Sequence, residues 1–204
     1  MKLTWHGHAC FTLETDFGTV VFDPYEPGYV PGVELPELTA DIVVCSHEHG
    51  DHCYPQGVKL SGKEHSLKFL YIDTFHDEAQ GRKRGKNIVT LVEAGDLRVV
   101  HMGDIGHLLS GEQLEALGKV DVLIIPTGGF YTIDAQQAWQ HVKAIRPKVT
   151  VPMHYRGEGF GFDVIASVEE FTKLADNVRF YDTNVLDLRD TEGEFVAVLK
   201  CPAK

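Results

Sequence analysis

Cysteine is scarce in this chain of 204 residues: Cys10, Cys45, Cys53 and Cys201 are the only four. They form no C-x-x-C pair and no regular framework, so a disulfide-built scaffold is excluded and reduced thiols are expected. Positive charge is also short. Lys and Arg number 19 against 30 Asp and Glu, a formal net charge of −11. That balance works against nucleic acid and anionic membranes, both of which need a basic footprint. Long apolar runs are missing too: the strongest, VDVLIIP at 120–126, is far shorter than the ~20 residues that span a bilayer. The opening MKLTWHGH has no apolar stretch of the signal-peptide kind. The expectation is a cytoplasmic protein with no membrane partner. Internal repeats and low-complexity linkers are absent as well, so a single domain over 1–204 is expected.

Glycine is comparatively plentiful, at 20 residues, and it clusters around the histidines, which points to tight turns there. The first half reads as short strands: Ala9 to Glu14, Thr19 to Phe22, Asp41 to Cys45, Leu67 to Ile72, Ile88 to Glu93 and Leu97 to His101. Each is rich in β-branched or aromatic residues and bounded by turn chemistry. Gly95-Asp96 predicts a hairpin between the last two. Helices enter later. Ser110 predicts an N-cap for GEQLEALG, Thr132 or Asp134 one for AQQAWQHVKAI, and Ser167 with Glu170 a capping box ahead of FTKLADN. Strands return at Val120 to Ile125, Val149 to Val151, Val178 to Tyr181 and Phe195 to Leu199. Strands in both halves with helices interspersed predict a sandwich of sheets covered by helices.

The chemistry is concentrated in SHEHGDH, immediately after the apolar DIVVC. His47, His49, Asp51 and His52 are four ligand-type side chains within six residues, and packing gives no reason for them. Imidazole nitrogens and carboxylate oxygens suit zinc, and equally iron or manganese. Three more candidates follow other predicted strands: His76 after LKFLYI, Asp104 in HMGD after LRVV, and His154 in VPMH after VTV. Strand C-terminal ends are where open sheets place functional loops. Seven ligands from four loops are what two neighbouring cations need.

The order H-x-H-x-D-H, a later His, then G-D, then a final His resembles the metallo-β-lactamase superfamily, and the match spans nearly the whole chain. WHGHACF, VVFDP at 20–24, GRKRGKN at 81–87, HMGDIGH at 101–107 and PTGGFYTID at 126–134 extend the likeness to its small metal-dependent hydrolases, akin to the ascorbate-6-phosphate lactonase branch. The resemblance implies an α/β fold, a four-layer αββα sandwich with the metals at one edge. It implies His47, His49 and His76 on a first metal, Asp51, His52 and His154 on a second, and Asp104 bridging. His52 separates the pattern from the true β-lactamases, and His49 separates it from flavodiiron proteins, which place Glu there. The cofactor implied is two divalent metal ions, zinc first, with manganese or iron as alternatives. The activity implied is hydrolysis of a small, anionic ester, lactone or phosphoester, with Asp51 and Asp104 at the catalytic centre. The alternatives are a nuclease or phosphodiesterase, against which the negative charge counts, and a metal-binding protein without turnover. Oligomeric state is open.

Other residues carry two readings. His107 is either an exposed loop residue or a substrate contact and general acid. Arg82, Lys83, Arg84 and Lys86 are either a solvated run or an anion-recognition loop, with Arg82 and Arg84 as the substrate-binding candidates. Thr127-Gly128-Gly129 is a candidate backbone anion site. His101 reads as a core or strand-end residue, and His65 and His141 read as surface. In HGH, His6 is expected to be a bystander. His8 is either a satisfied strand-end histidine or stands behind the ligands beside Asp23, orienting one of them.

Overall fold

Short strands rich in Val, Ile and Phe dominate the computed structural model, which describes residues 1–189 and 191–202. Three antiparallel strands, β1 (Lys2–Trp5), β2 (Phe11–Thr15) and β3 (Gly18–Phe22), begin the first sheet. β4 (Leu38–Ala40) and β6 (Val58–Leu60) form a separate parallel pair, while β5 (Ile42–Val44) joins β3 in parallel. β7 (Lys68–Phe75), β8 (Lys86–Ala94) and β9 (Leu97–His101) follow as an antiparallel meander. The remaining elements are α1 (Gly111–Leu117), β10 (Val122–Pro126), α2 (Ala135–Ile145), β11 (Val149–Met153), α3 (Glu169–Thr172), β12 (Val178–Phe180), β13 (Val185–Asp187) and β14 (Phe195–Val198). Strand order is β13-β1-β2-β3-β5 in one sheet and β12-β14-β11-β10-β9-β8-β7 in the other.

The two sheets bury one continuous apolar cluster that includes Leu3, Phe11 and Val20 from the first and Leu91, Val100 and Ile124 from the second. β10, β11 and β14 are buried at every position, as expected of parallel strands covered on both faces. α2 packs on β10 and on both other helices, with Trp139 meeting Phe171 edge-on at 5.9 Å. Outside the five-stranded sheet the covering layer is not helical. Tyr25, Val30, Val33, Leu38, Ala40 and Val58, from the β4–β6 pair and its connections, pack there against Cys10 and Val21. The chain is thus an α/β sandwich of mixed sheets with few helices.

Several local expectations need correction. Ala9 and Cys10 belong to the turn before β2, and β1, β4, β6 and β13 were not anticipated. The Ser167–Glu170 capping box does not form: α3 starts at Glu169 behind Val168, with no side-chain cap. Ser167 instead bridges Arg156 in strand-like pairing, which commits its backbone to an extended path. Asp134, not Thr132, caps α2 and forms a reciprocal box with Gln137; Ser110 and Gln113 do the same for α1.

Strand direction explains where function can gather. β9, β10 and β11 are parallel, and β7 runs with β9 because each is antiparallel to β8. Their C-terminal ends therefore open on one edge of the sandwich. β3 and β5 are parallel, and β1 runs with β3 through the intervening β2. All the segments that carry ligand-type side chains are loops leaving these ends.

Candidate metal centre

The loop after β5 carries His47, His49, Asp51 and His52; His76 leaves β7, Asp104 follows β9, and His154 follows β11 directly. The structure brings all seven together, with His8 beside them. Three groups have ligand atoms within 4.8 Å of one another: His47, His49 and His76; His8, Asp51, His52 and His154; and His47, His52 and Asp104. Asp104 stands between the first two. Its Oδ2 lies 3.2 Å from the Nε2 atoms of His52, His76 and His154.

Hydrogen bonding fixes which ring nitrogens face inward. His52 Nδ1 donates to Asp23 Oδ2 at 2.7 Å. Ser46 Oγ donates to the same oxygen at 2.6 Å, and so must accept from His47 Nδ1, 2.9 Å away. His76 Nδ1 donates to the Tyr131 carbonyl at 3.1 Å. In each ring the Nε2 lone pair is left pointing at the centre, the tautomer that metal-bound histidines adopt. One buried carboxylate, Asp23, thereby orients His52 directly and His47 through Ser46. Asp23 follows Phe22, whose register opposite Val44 brings it beside the ligand loop, and its Oδ1 also takes the Ser46 N–H at 2.7 Å.

A cation fits these residues. Nε2 of His8, His47, His52 and His154 and Oδ1 of Asp104 are buried without a hydrogen-bond partner among the described residues. Native structures rarely leave such atoms unpaired unless an ion or water takes them. Bonds of about 2.05 Å at tetrahedral angles place ligand atoms about 3.3 Å apart, which matches the 3.2 Å separations around Asp104 Oδ2. The charge state agrees. Burial is the largest influence on Asp104 and opposes its ionisation, but His154 and His52 outweigh it and hold the carboxyl well below the usual range. Burial likewise opposes a charge on His52, yet Asp104 and Asp23 outweigh it and push the ring well above an ordinary histidine. Positive charge is favoured at that spot, whether proton or metal. Burial lowers His47 to about 3, keeping it neutral for coordination.

The backbone beneath the centre is constrained. Asp23, His8 and His154 have φ of 43°, 52° and 52°, a left-handed conformation that non-glycine residues hold only when their surroundings impose it. Gly103 has φ 55°, and a Cβ there would lie 2.4 Å from Asn87 Oδ1 and 2.5 Å from Ser46 Cβ. Asn87 Oδ1 accepts the Asp104 N–H at 2.8 Å and its Nδ2 donates to Thr74 and to the Met102 carbonyl, so it aims the aspartate turn.

Other expectations resolve differently. His107 has no free nitrogen for acid catalysis: Nε2 accepts the Phe75 N–H at 3.2 Å and Nδ1 donates to the Leu108 carbonyl at 2.8 Å. Arg82 is exposed, and its Nε donates to the Ala79 carbonyl of its own loop. Arg84 lies over Tyr131, its guanidinium 5.7 Å from that ring, which itself meets the His154 ring at 6.5 Å. In Thr127-Gly128-Gly129 the two outer N–H groups are occupied, Thr127 N–H donating to Met153 and Gly129 N–H to Ile133. Gly128 is needed for close approach, since a Cβ there would lie 2.1 Å from the His154 carbonyl. His101 is buried, donates from Nε2 to the Ala9 carbonyl and stacks on Phe22. His141 is not a surface residue; it is buried and accepts the Leu109 N–H. His8 stands beside Asp51, its Nε2 3.3 Å from Oδ2, and makes no hydrogen bond to Asp23, whose histidine partner is His52.

His6 is separate from the cluster and bonds Thr12 Oγ1 at 2.7 Å through Nε2. Burial lowers its pKa to about 4, so its contribution to stability is complete above the unfolded value near 6.5 and is lost as pH falls from there toward 4. The loss is on the order of 3 kcal/mol. His6→Gln is expected to flatten the acid arm of a urea-unfolding series between pH 6.5 and 4, and an unchanged slope would contradict the assignment.

Asp77 carries a role that no spacing in the sequence announces. Its buried carboxylate accepts the backbone N–H groups of Ala79, Gly81, Lys83 and Arg84 at 2.7–3.1 Å and holds the basic loop closed. Asp77→Ala frees four donors and is expected to speed tryptic cleavage at Arg82, Lys83 or Arg84 roughly tenfold or more, given ~1 kcal/mol for each bond lost. Mass spectrometry of timed digests reads the site and the rate.

Known proteins place the chain in context. A family model described as "Beta-lactamase superfamily domain" matches residues 2–154. A UPF0173 protein of Pyrococcus furiosus is 32% identical, covering 95% of this chain and 99% of its own. A UPF0173 metal-dependent hydrolase of Thermoplasma acidophilum is 30% identical, covering 89% and 93%. Among solved structures, a candidate Zn-dependent hydrolase of the metallo-β-lactamase superfamily from Thermotoga maritima is 35% identical, with TM-score 0.77 and coverage of 97% of this chain and 98% of that one. A metallo hydrolase from Ignicoccus hospitalis shares the fold at 21% identity and TM-score 0.65, covering 100% and 96%.

Proposed function

Because the chain belongs to the β-lactamase superfamily, as a metal-dependent hydrolase of the metallo-β-lactamase fold, we propose that its centre takes two divalent cations and hydrolyses a small anionic ester, lactone or phosphoester. The observation that carries this reading is the position of Asp104 Oδ2, 3.2 Å from His76 of one ligand group and from His52 and His154 of the other. His47, His49 and His76 would hold one ion, Asp51, His52 and His154 the other, and Asp104 both. Two cations held there would supply a water acidic enough to act as nucleophile near neutral pH and would polarise the scissile carbonyl or phosphoryl oxygen. Zinc, manganese and iron all suit the donor set.

The chain's own residues do the rest. Asp23 and Ser46 keep the His47 and His52 rings in the binding tautomer. Burial opposes the ionisation of Asp51, but His8 and His52 outweigh it and keep the carboxylate charged. Partly exposed, it can accept a hydrogen bond from the attacking water. Exposed His49 marks the open side of the centre. Tyr131 and Phe162, with rings 6.0 Å apart, line the side near His154 and His8 and would exclude water from the bound substrate. Arg84, resting over Tyr131, is the cation placed to meet a carboxylate or phosphate on the substrate. The net charge of −11 disfavours a long polyanion in that place.

The test is metal analysis of the purified protein followed by a hydrolysis screen over lactones, carboxylic esters and phosphodiesters, before and after chelation. Turnover that depends on about two metal equivalents supports the reading. Full turnover in metal-stripped protein overturns it.

A further inference from the structure

We propose that His8 is an eighth ligand, coordinating through Nε2 the cation held by Asp51, His52 and His154; this rests on the two-cation reading above. His8 is buried, with 2% of its surface exposed, and neither ring nitrogen has a hydrogen-bond partner among the described residues. Its Nε2 lies 3.3 Å from Asp51 Oδ2, and its ligand atom is within 4.8 Å of those of Asp51, His52 and His154. That 3.3 Å is the edge expected between two ligands on one ion with bonds of about 2.05 Å. Its neighbour His6 shows the contrast: the same residue type in the same motif finds Thr12 Oγ1 at 2.7 Å and needs nothing more.

The backbone is built to deliver this ring. His8 is held at φ 52°, and its carbonyl accepts both the Trp5 indole N–H at 3.0 Å and the His154 N–H at 3.2 Å. The second bond ties His8 to a ligand from the opposite sheet, and the two rings lie 4.0 Å apart. Phe162 also meets the His8 ring edge-on at 5.5 Å, so the ring is packed between aromatic neighbours.

The consequence is an unequal pair of sites. One position has three imidazoles and a share of Asp104. The other has three imidazoles, Asp51 and a share of Asp104, which with one solvent molecule makes six donors. Six-fold coordination suits Mn²⁺ or Fe²⁺ better than Zn²⁺, which prefers four.

The experiment is titration of metal-free protein with Co²⁺ against a chromophoric chelator, for the wild type, His8→Ala and His8→Gln, with crystals of the Co²⁺-loaded wild type in parallel. Two equivalents should bind the wild type, and one of them should weaken at least about 100-fold in both variants, at the upper end of what loss of an outer hydrogen bond causes. In the crystal, His8 Nε2 should lie about 2.1 Å from a cobalt. Gln can offer Asp51 a hydrogen bond but cannot replace the imidazole. Two equivalents bound by His8→Gln with wild-type affinity, or a wild-type Nε2–Co distance beyond about 3 Å, overturns the proposal and leaves the two-cation reading standing. A wild type that binds only one equivalent overturns both. The wild-type crystal decides the matter even if the variants fold poorly.

Discussion

Asp104→Asn should lower turnover by at least about 10³-fold, or ~4 kcal/mol of transition-state stabilisation, and should reduce metal content below two equivalents. The substitution keeps shape and removes charge. Asp104 Oδ2 is the atom that three imidazole nitrogens share at 3.2 Å, and an amide oxygen cannot neutralise two neighbouring cations as a carboxylate does. The turn that carries it is held independently by Asn87 and by the tight passage at Gly103, so the fold should survive. Circular dichroism checks the fold, mass spectrometry the metal, and steady-state kinetics the turnover. Unchanged metal content and unchanged rate together would remove Asp104 from the centre.

Asp23 is expected to have the second-largest effect, although it touches no metal in the proposed site. Its carboxylate accepts from Ser46 N, Ser46 Oγ and His52 Nδ1 at 2.6–2.7 Å in a fully enclosed position. Asp23→Ala strands three buried donors and places alanine at φ 43°, where aspartate and asparagine are far better tolerated. A stability loss of about 3–5 kcal/mol is expected, read as a lower midpoint in denaturant. Asp23→Asn separates the two roles. Its amide oxygen keeps the Ser46 N–H, while its NH₂ group opposes the His52 N–H and turns that ring away from the binding tautomer. Metal affinity should fall 10- to 100-fold with stability largely retained. Affinity within about threefold of wild type would show that the His52 orientation does not depend on Asp23.

The parts of the centre legible in the sequence were those with unusual local density. SHEHGDH cannot be explained by packing, and His76, Asp104 and His154 each follow a recognisable apolar strand. The residues that aim them were not legible. Ser46, Asn87 and Tyr131 act through hydrogen bonds to partners distant in sequence, Asp23, Asp104 and His76, and Asp77 acts through four backbone N–H groups of its own loop; no spacing announces such bonds. Asp23 was noticed through VVFDP, but its partner is His52 and not His8, because the parallel register of β3 with β5 delivers it to the ligand loop. Among strands, the long ones with β-branched residues on both faces were visible. β4 and β6, with sequences LTA and VKL, are three residues each and too short to show alternation. Ser167 had the composition of a helix cap, but its pairing with Arg156 overrode it. His141 reads as exposed from sequence because it is a polar residue on an amphipathic helix, and the loop at Leu109 that covers it leaves no local signal.

The loops that meet at this edge come from opposite sheets: His8, Asp23 and the His47–His52 loop from one, His76, Asp104 and His154 from the other. A metal ion gathered from both would work as a rivet between layers that otherwise adhere through apolar contact and a few hydrogen bonds, such as His154 N–H to the His8 carbonyl and His101 Nε2 to the Ala9 carbonyl. Each ligand set draws on loops from both sheets, so tight binding must wait until the sheets have docked. Metal would then act as a lock applied late in folding rather than as a nucleus around which the chain collects. Its free energy is spent holding the finished sandwich shut, at the very edge where the layers must remain open enough to admit a substrate.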